Sequence, residues 1–118
     1  MRKFEGVKAR GMSVSIKDFE KLTFKVGKIT SAERIPGMKK ILRVQVDIGD
    51  RVAQAIAGGA EFYEPESFVG KQVIVLTNME AKMIAGVKSE VMLLAADLQG
   101  KPIWVTVEAD VPAGTKVR

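Results

Sequence analysis

No cysteine and no histidine occur among the 118 residues. Disulfides and thiolate or imidazole metal sites are therefore excluded. So are Ser–His–Asp and Cys–His nucleophilic mechanisms. Acid–base chemistry would have to run on carboxylates, Lys or Tyr alone, without the side chain most often used for it. No apolar run approaches the roughly 18 residues needed to cross a bilayer. The N-terminus, MRKFEGVKARGM, lacks the apolar centre of a secretory signal. Together these point to a cytoplasmic, non-catalytic protein with no expected cofactor. Aromatics are scarce, at 6%. Phe19, Phe24 and Phe68 have the spacing of core residues, which leaves Tyr63 as the free-looking ring.

What is present describes one ordinary globular domain, with 47% apolar and 28% charged residues. The net charge of +5 suits a polyanionic partner, but its distribution matters. Arg2, Lys3, Lys8 and Arg10 against Glu5 give residues 1–12 a net of +3, leaving +2 for the rest. Residues 1–12 lack apolar periodicity and read as a flexible basic extension, with residues 13–118 as the domain. Met12 precedes the first patterned segment and is a candidate for the true start of translation in place of Met1.

Ser15 to Leu22 predicts a short helix capped by Ser15, with Ile16, Phe19 and Leu22 on one face. Thr23 to Glu33 predicts a strand whose phase slips at Gly27-Lys28, the mark of a bulge. Its alternation turns Lys25 outward. Pro36-Gly37 turns into Ile41 to Gly49, with Leu42, Val44, Val46 and Ile48 inward and Arg43, Gln45 and Asp47 outward. Gly49-Asp50 turns into a partner strand, Arg51 to Ala57. Glu64 to Phe68 reads as one helical turn, with Pro65 at its start. Gln72 to Thr77, Val91 to Ala96 and Ile103 to Val107 read as strands, the first two apolar on both faces. Five or six short strands with glycine at the bends suit an all-β fold. The order fits a five-stranded Greek-key OB-fold barrel with a short N-terminal helix and terminal extensions.

Three features could carry binding. Asn78 to Met92 is a polar loop between apolar strands; Lys82 and Lys88 can reach phosphates, and Asn78, Ser89 and Glu90 can hydrogen-bond bases or riboses. By default it is a hairpin connection whose Met79, Met83, Ile84 and Val87 simply cover a barrel end. Lys39 and Lys40 sit in a turn and, with Lys25, Lys28, Arg43 and Arg51, form either a basic patch or an ordinary solvated face. Ile74, Leu76, Met92, Leu94 and Trp104 cannot all enter one small barrel, so some pack under the termini or against a second subunit. With few aromatics, backbone and shape recognition of a folded RNA fits better than a stacking platform for single strands.

The order of short matches is specific. Asp18-Phe19, Lys21-Leu22, Val26-Gly27-Lys28-Ile29, Ala32-Glu33, Pro36, Lys40-Ile41-Leu42 and Val46-Asp47-Ile48-Gly49 are followed by Gln54, Tyr63, Pro65-Glu66 and Val69-Gly70-Lys71. The strongest stretch is Asn78, then Gly86-Val87-Lys88-Ser89-Glu90 and Met92-Leu93-Leu94-Ala95-Ala96. Through these, residues 18–118 resemble the tRNA-binding domain family, found in methionyl- and phenylalanyl-tRNA synthetases and in stand-alone dimers that bind tRNA or act as secretion-associated chaperones. The resemblance implies an OB fold and tRNA as partner. It implies Lys28, Lys40, Lys82 and Lys88 on phosphates, with Asn78, Ser89, Glu90 and Met92 lining the contact. Ile84 to Val91 and the tail Val111 to Val117 look closest to the stand-alone, chaperone-like members, in which both termini build a homodimer. That branch makes unfolded peptides the alternative ligand, and an aminoacyl-tRNA synthetase a further possible partner. Glu80, Met83 and Ala85 stand where the family often has basic residues, and Lys39 where it often has an acid. Fewer loop cations imply fewer phosphate contacts and a shallower salt dependence.

Overall fold

The computed structural model describes residues 12–118. The expected extension over residues 1–12 lies outside them, apart from Met12. Helix α1 (Ile16–Glu20) starts where Ser15 accepts a hydrogen bond from the Asp18 amide at 3.1 Å. Then come β1 (Phe24–Arg34), β2 (Ile41–Asp47), β3 (Val52–Gly58), the single turn α2 (Pro65–Phe68) and β4 (Gln72–Leu76). They are followed by β5 (Lys82–Ile84), β6 (Val87–Ser89), β7 (Met92–Leu93), β8 (Ala95–Leu98), β9 (Lys101–Trp104) and β10 (Lys116–Val117).

The main sheet runs β3-β2-β1-β4-β7, all antiparallel, with β10 on the edge of β1 that β2 leaves free. Chain segment 89–90 closes it against β3. The Glu90 amide donates to the Gln54 carbonyl at 2.8 Å, the Gln54 amide to the Glu90 carboxylate at 2.8 Å, and the Ile56 amide to the Ser89 hydroxyl at 3.2 Å. The result is the all-β OB barrel expected from the strand pattern, with α2 between the third and fourth strands.

Leu42, Val44 and Val46 of β2, and Ile48 just after it, are fully buried, as their alternation predicts. They meet Ala53, Ala55 and Ala57 of β3 and Val73 and Val75 of β4. The small alanines opposite branched side chains let the barrel close at normal packing density. Phe68 caps the core from α2 and lies against Trp104, with ring centroids 4.9 Å apart.

Strand β1 corrects the sequence reading twice. The register shift falls between Ile29 and Ser31, so the bulge is at Thr30 and not at Gly27-Lys28. A Cβ on Gly27 would stand 2.6 Å from Val46 Cγ2 and 2.8 Å from Val75 Cγ2. Gly27 therefore faces the interior with Ile29, which gives Lys25 the inward parity at the barrel end. Lys25 is half-buried there and pairs with Asp50 at 3.9 Å. Val26 lies on the outer side, opposite Ile74. Both are buried all the same, because the segment after β9 is laid along them. Val26 exchanges hydrogen bonds with Gly114 and Thr115, and the Ile74 amide donates to Val105. Part of the two-sided apolar character of the strands is thus satisfied within the chain. Phe19, expected in the core, is 42% exposed; it stacks on Phe24 at 5.9 Å, and α1 buries no residue among those described.

Candidate nucleic-acid interface

Within the Asn78 to Met92 segment, read as a loop, residues Lys82 to Ser89 form a β-hairpin. Lys82, Met83 and Ile84 of β5 pair with Ser89, Lys88 and Val87 of β6. Its two-residue turn, Ala85-Gly86, has φ of 52° and 78°. Both central residues in the left-handed region make the primed type of turn that matches strand twist. Alanine seldom takes that position, so the sequence carried no turn signal.

Paired residues share a face of the ribbon. Lys88 therefore lies with Met83 on one face, and Lys82 with Ser89 on the other, at the open end. Met83 is 64% exposed. The Ser89–Ile56 and Glu90–Gln54 bonds run β6 antiparallel to β3, sending the hairpin tip toward Gly58. Gly58 pairs with Ile41, next to Lys40. Lys40 and the hairpin thus share one end of the barrel. Lys28 pairs with Asp47 at the other end of β2, about 20 Å away along the strand.

The polar residues expected to read RNA are largely engaged in the fold. Asn78 accepts from the Thr23 amide at 2.8 Å and donates to the Lys21 carbonyl at 2.7 Å, tying α1 to the end of β4. Ser89 is buried, accepts from Ile56 and donates to the Val91 carbonyl at 3.4 Å. The Glu90 carboxylate serves the Gln54 amide and sits 3.9 Å from Arg51. Met92 is 45% exposed beside Leu76.

The outer face of β2 and β3 is likewise internally committed. Arg43 forms an ion pair and hydrogen bond with Glu33. Gln45 donates to Gln54 at 3.0 Å, and Gln54 to the Lys88 carbonyl at 2.9 Å, a chain of amides from β2 to the hairpin. Arg34 pairs with Glu64 at 3.5 Å. Among the described residues Lys28, Lys39, Lys40, Lys82 and Lys88 are exposed and make no ion pair. The arginines hold the scaffold, and the lysines on its rim keep their charge for solvent or a ligand.

One aromatic was missed. Tyr63 is half-buried, with its hydroxyl donating to the Pro102 carbonyl at 2.8 Å. Its neighbour Phe62 is an exposed ring, at 48%. A phenylalanine in a turn after two glycines, between Glu61 and Glu64, is the signal that could have found it.

A family model described as "Putative tRNA binding domain" matches residues 24–116. The methionine–tRNA ligase of Methanospirillum hungatei is 43% identical over 111 residues, covering 94% of this chain and 16% of that protein. That of Methanothrix thermoacetophila is 46% identical over 100 residues, 85% of this chain and 15% of that one. The chain thus spans about one-sixth of the curated relatives it matches. The crystal structure of a MetRS-related protein from Pyrococcus horikoshii superposes with a TM-score of 0.83 at 33% identity, covering 90% of this chain and 98% of that one. The chaperone CsaA of Bacillus anthracis superposes at 0.81 and 30%, covering 90% and 99%. The matching sequence and the shared barrel together establish that the chain belongs to the tRNA-binding domain family.

Proposed function

We propose that the chain is a non-catalytic tRNA-binding module of the cytoplasm, acting as a homodimer or as a trans-acting subunit of an aminoacyl-tRNA synthetase. The observation that carries this reading is the rim of unpaired lysines around a face whose arginines are all in ion pairs. Lys40, Lys82 and Lys88 would meet phosphates from one barrel end, and Lys28 a second backbone stretch from the other. Asn78, Ser89 and Glu90 would act by fixing the platform, with Met92 as an apolar contact beside them.

Titration of labelled tRNA across a salt series tests the reading. Each neutralised phosphate contributes about 0.7–0.9 to the slope of log K against log salt, so Lys82→Ala with Lys88→Ala should flatten it by roughly 1.5 and weaken binding tenfold or more at low salt. Wild-type protein that fails to shift tRNA at low salt would sink the proposal.

The homodimer is supported by Val14, Ile16, Phe19 and Leu22, a contiguous set of exposed apolar residues around α1. Light scattering should give twice the 12.9 kDa chain mass, and a monomer at micromolar concentration refutes it. A second reading, a chaperone for unfolded peptides, draws on exposed Met83 and Met92, since methionine suits adaptable apolar contact. Competition between tRNA and a labelled apolar peptide separates the two.

A further inference from the structure

A cavity of about 540 Å³ opens between the start of β2, the end of β3 and the β8–β9 hairpin. That volume is within the range of small-ligand sites. Phe62 lines it, as do Lys40, Glu61, Asp97 and Gln99. We propose that this cavity seats one unpaired nucleotide of an RNA, its base stacked on Phe62 and its phosphate held by Lys40.

Three observations converge. Phe62 is held by its amide, which donates to the Gly59 carbonyl at 2.8 Å, and it leaves nearly half its surface to solvent. An exposed ring on an anchored turn offers a stacking platform, which every base can use through its π-face. Two lysines stand around the cavity. Lys40 lines the cavity and makes no ion pair among the described residues, and the Lys101 ammonium lies 5.8 Å from the Phe62 centroid and 5.7 Å from that of Tyr63. Together they balance the Glu61 and Asp97 carboxylates that share the lining, and Lys40 is the group there that can take a phosphate.

The walls are also rigid. Tyr63 ties the turn to Pro102, and a Cβ on Gly59 would meet the Pro102 ring at 2.9 Å and Tyr63 at 3.0 Å. The Asp97 carboxylate accepts from the Gly100 amide at 2.8 Å and fixes the hairpin turn at the rim. Glu61 and Gln99 offer acceptor and amide groups to a base edge. A nucleotide can use Lys40 through its phosphate and Glu61 and Gln99 through its base edge, whereas an apolar side chain would use none of them. The inference rests on the RNA-binding reading above and adds a site to it that reads an unstacked base.

Gly58 supplies a clean test. It lines the cavity, its φ is not positive, and nothing lies within 4 Å of a Cβ placed on it. Gly58→Val should fill the space without disturbing the fold. The probes are AMP and a five-nucleotide oligoadenylate, followed by fluorescence anisotropy and by amide NMR shifts of Gly58, Gly59 and Gly100. Gly58→Val, Phe62→Ala and Phe62→Leu should each weaken the oligonucleotide roughly fivefold to a hundredfold, the span of one lost base stack, while the unfolding midpoint of Gly58→Val stays near wild type. Unchanged affinity in all three variants, or no shift at these glycines on saturation, overturns the site. So does a labelled apolar peptide that binds there in place of the oligonucleotide and depends on Phe62. If tRNA responds to Lys82→Ala and Lys88→Ala but not to Phe62→Leu, the cavity is overturned and tRNA binding stands. If the oligonucleotide responds to Phe62→Leu while tRNA does not bind at all, the cavity stands and the tRNA reading falls.

Discussion

Phe68→Ala is expected to cost about 3–5 kcal/mol, the range for emptying a buried aromatic site. The ring is 2% exposed, and it touches the barrel core on one side and Trp104 on the other. Its helix, α2, is one turn long and cannot close over the gap. The chain just after it is pinned to β1, with the Gly70 amide donating to Ile29 and the Ile29 amide to Lys71. A loss of this size lowers the unfolding midpoint of a domain near 100 residues by roughly 15 °C or more. Trp104 is the single tryptophan, so its fluorescence reports the lost ring directly, independent of heat unfolding. A midpoint within a few degrees of wild type would mean that α2 does not seal the core.

Gly114→Ala should be nearly as damaging, through backbone rather than side chains. The tail crosses the β2–β3 turn at this point. A Cβ on Gly114 would stand 2.8 Å from Gly49 Cα, and one on Gly49 would stand 2.7 Å from Gly114 Cα. Both residues have positive φ, 90° and 101°. Left-handed strain of about 1–2 kcal/mol then adds to overpacking of about 1–3 kcal/mol, because neither backbone can step aside without breaking the 2.7 Å bond from the Gly114 amide to Val26. Gly37 separates the two terms. Its φ is 81° with nothing within 4 Å of a Cβ, so Gly37→Ala should show the strain alone. Equal midpoints for Gly114→Ala and Gly37→Ala, by heat or urea unfolding, would refute the close crossing.

The sequence carried the fold wherever side-chain period and burial agree. Strand β2 was legible because its alternation is strict and its inner face wholly apolar, and Ser15 because a cap acts over three residues. Strand β1 was misread because Gly27, the inward residue, has no side chain to show its parity, so apolar Val26 took the inward assignment. The bulge at Thr30 follows from register against β2, which no local pattern records. The β5–β6 hairpin escaped because Ala85 does the work usually left to Asn or Gly.

At the candidate interface the residues were legible and their roles were not. Ser89 bonds a residue 33 positions away, Glu90 one 36 away and Asn78 residues 55 and 57 away. A polar side chain that completes a barrel and one that meets a ligand look alike until those distant partners are placed. The lysines were easier, since exposed charge is read from composition and pattern. Which cations remain unpaired emerged only once Glu33, Asp50, Glu64 and Glu90 were located beside their partners.

The pairing of β1 with β10 has a consequence for how such a domain travels between proteins. Phe24 lies opposite Val117 and Lys25 opposite Lys116, so the chain comes in and goes out through adjacent strands about 5 Å apart. A host polypeptide carrying these residues between two of its own elements would bridge only that gap, with little loop-closure entropy to lose. The first and last strands of the barrel thus lie side by side, in a segment that matches 16% of a much longer relative.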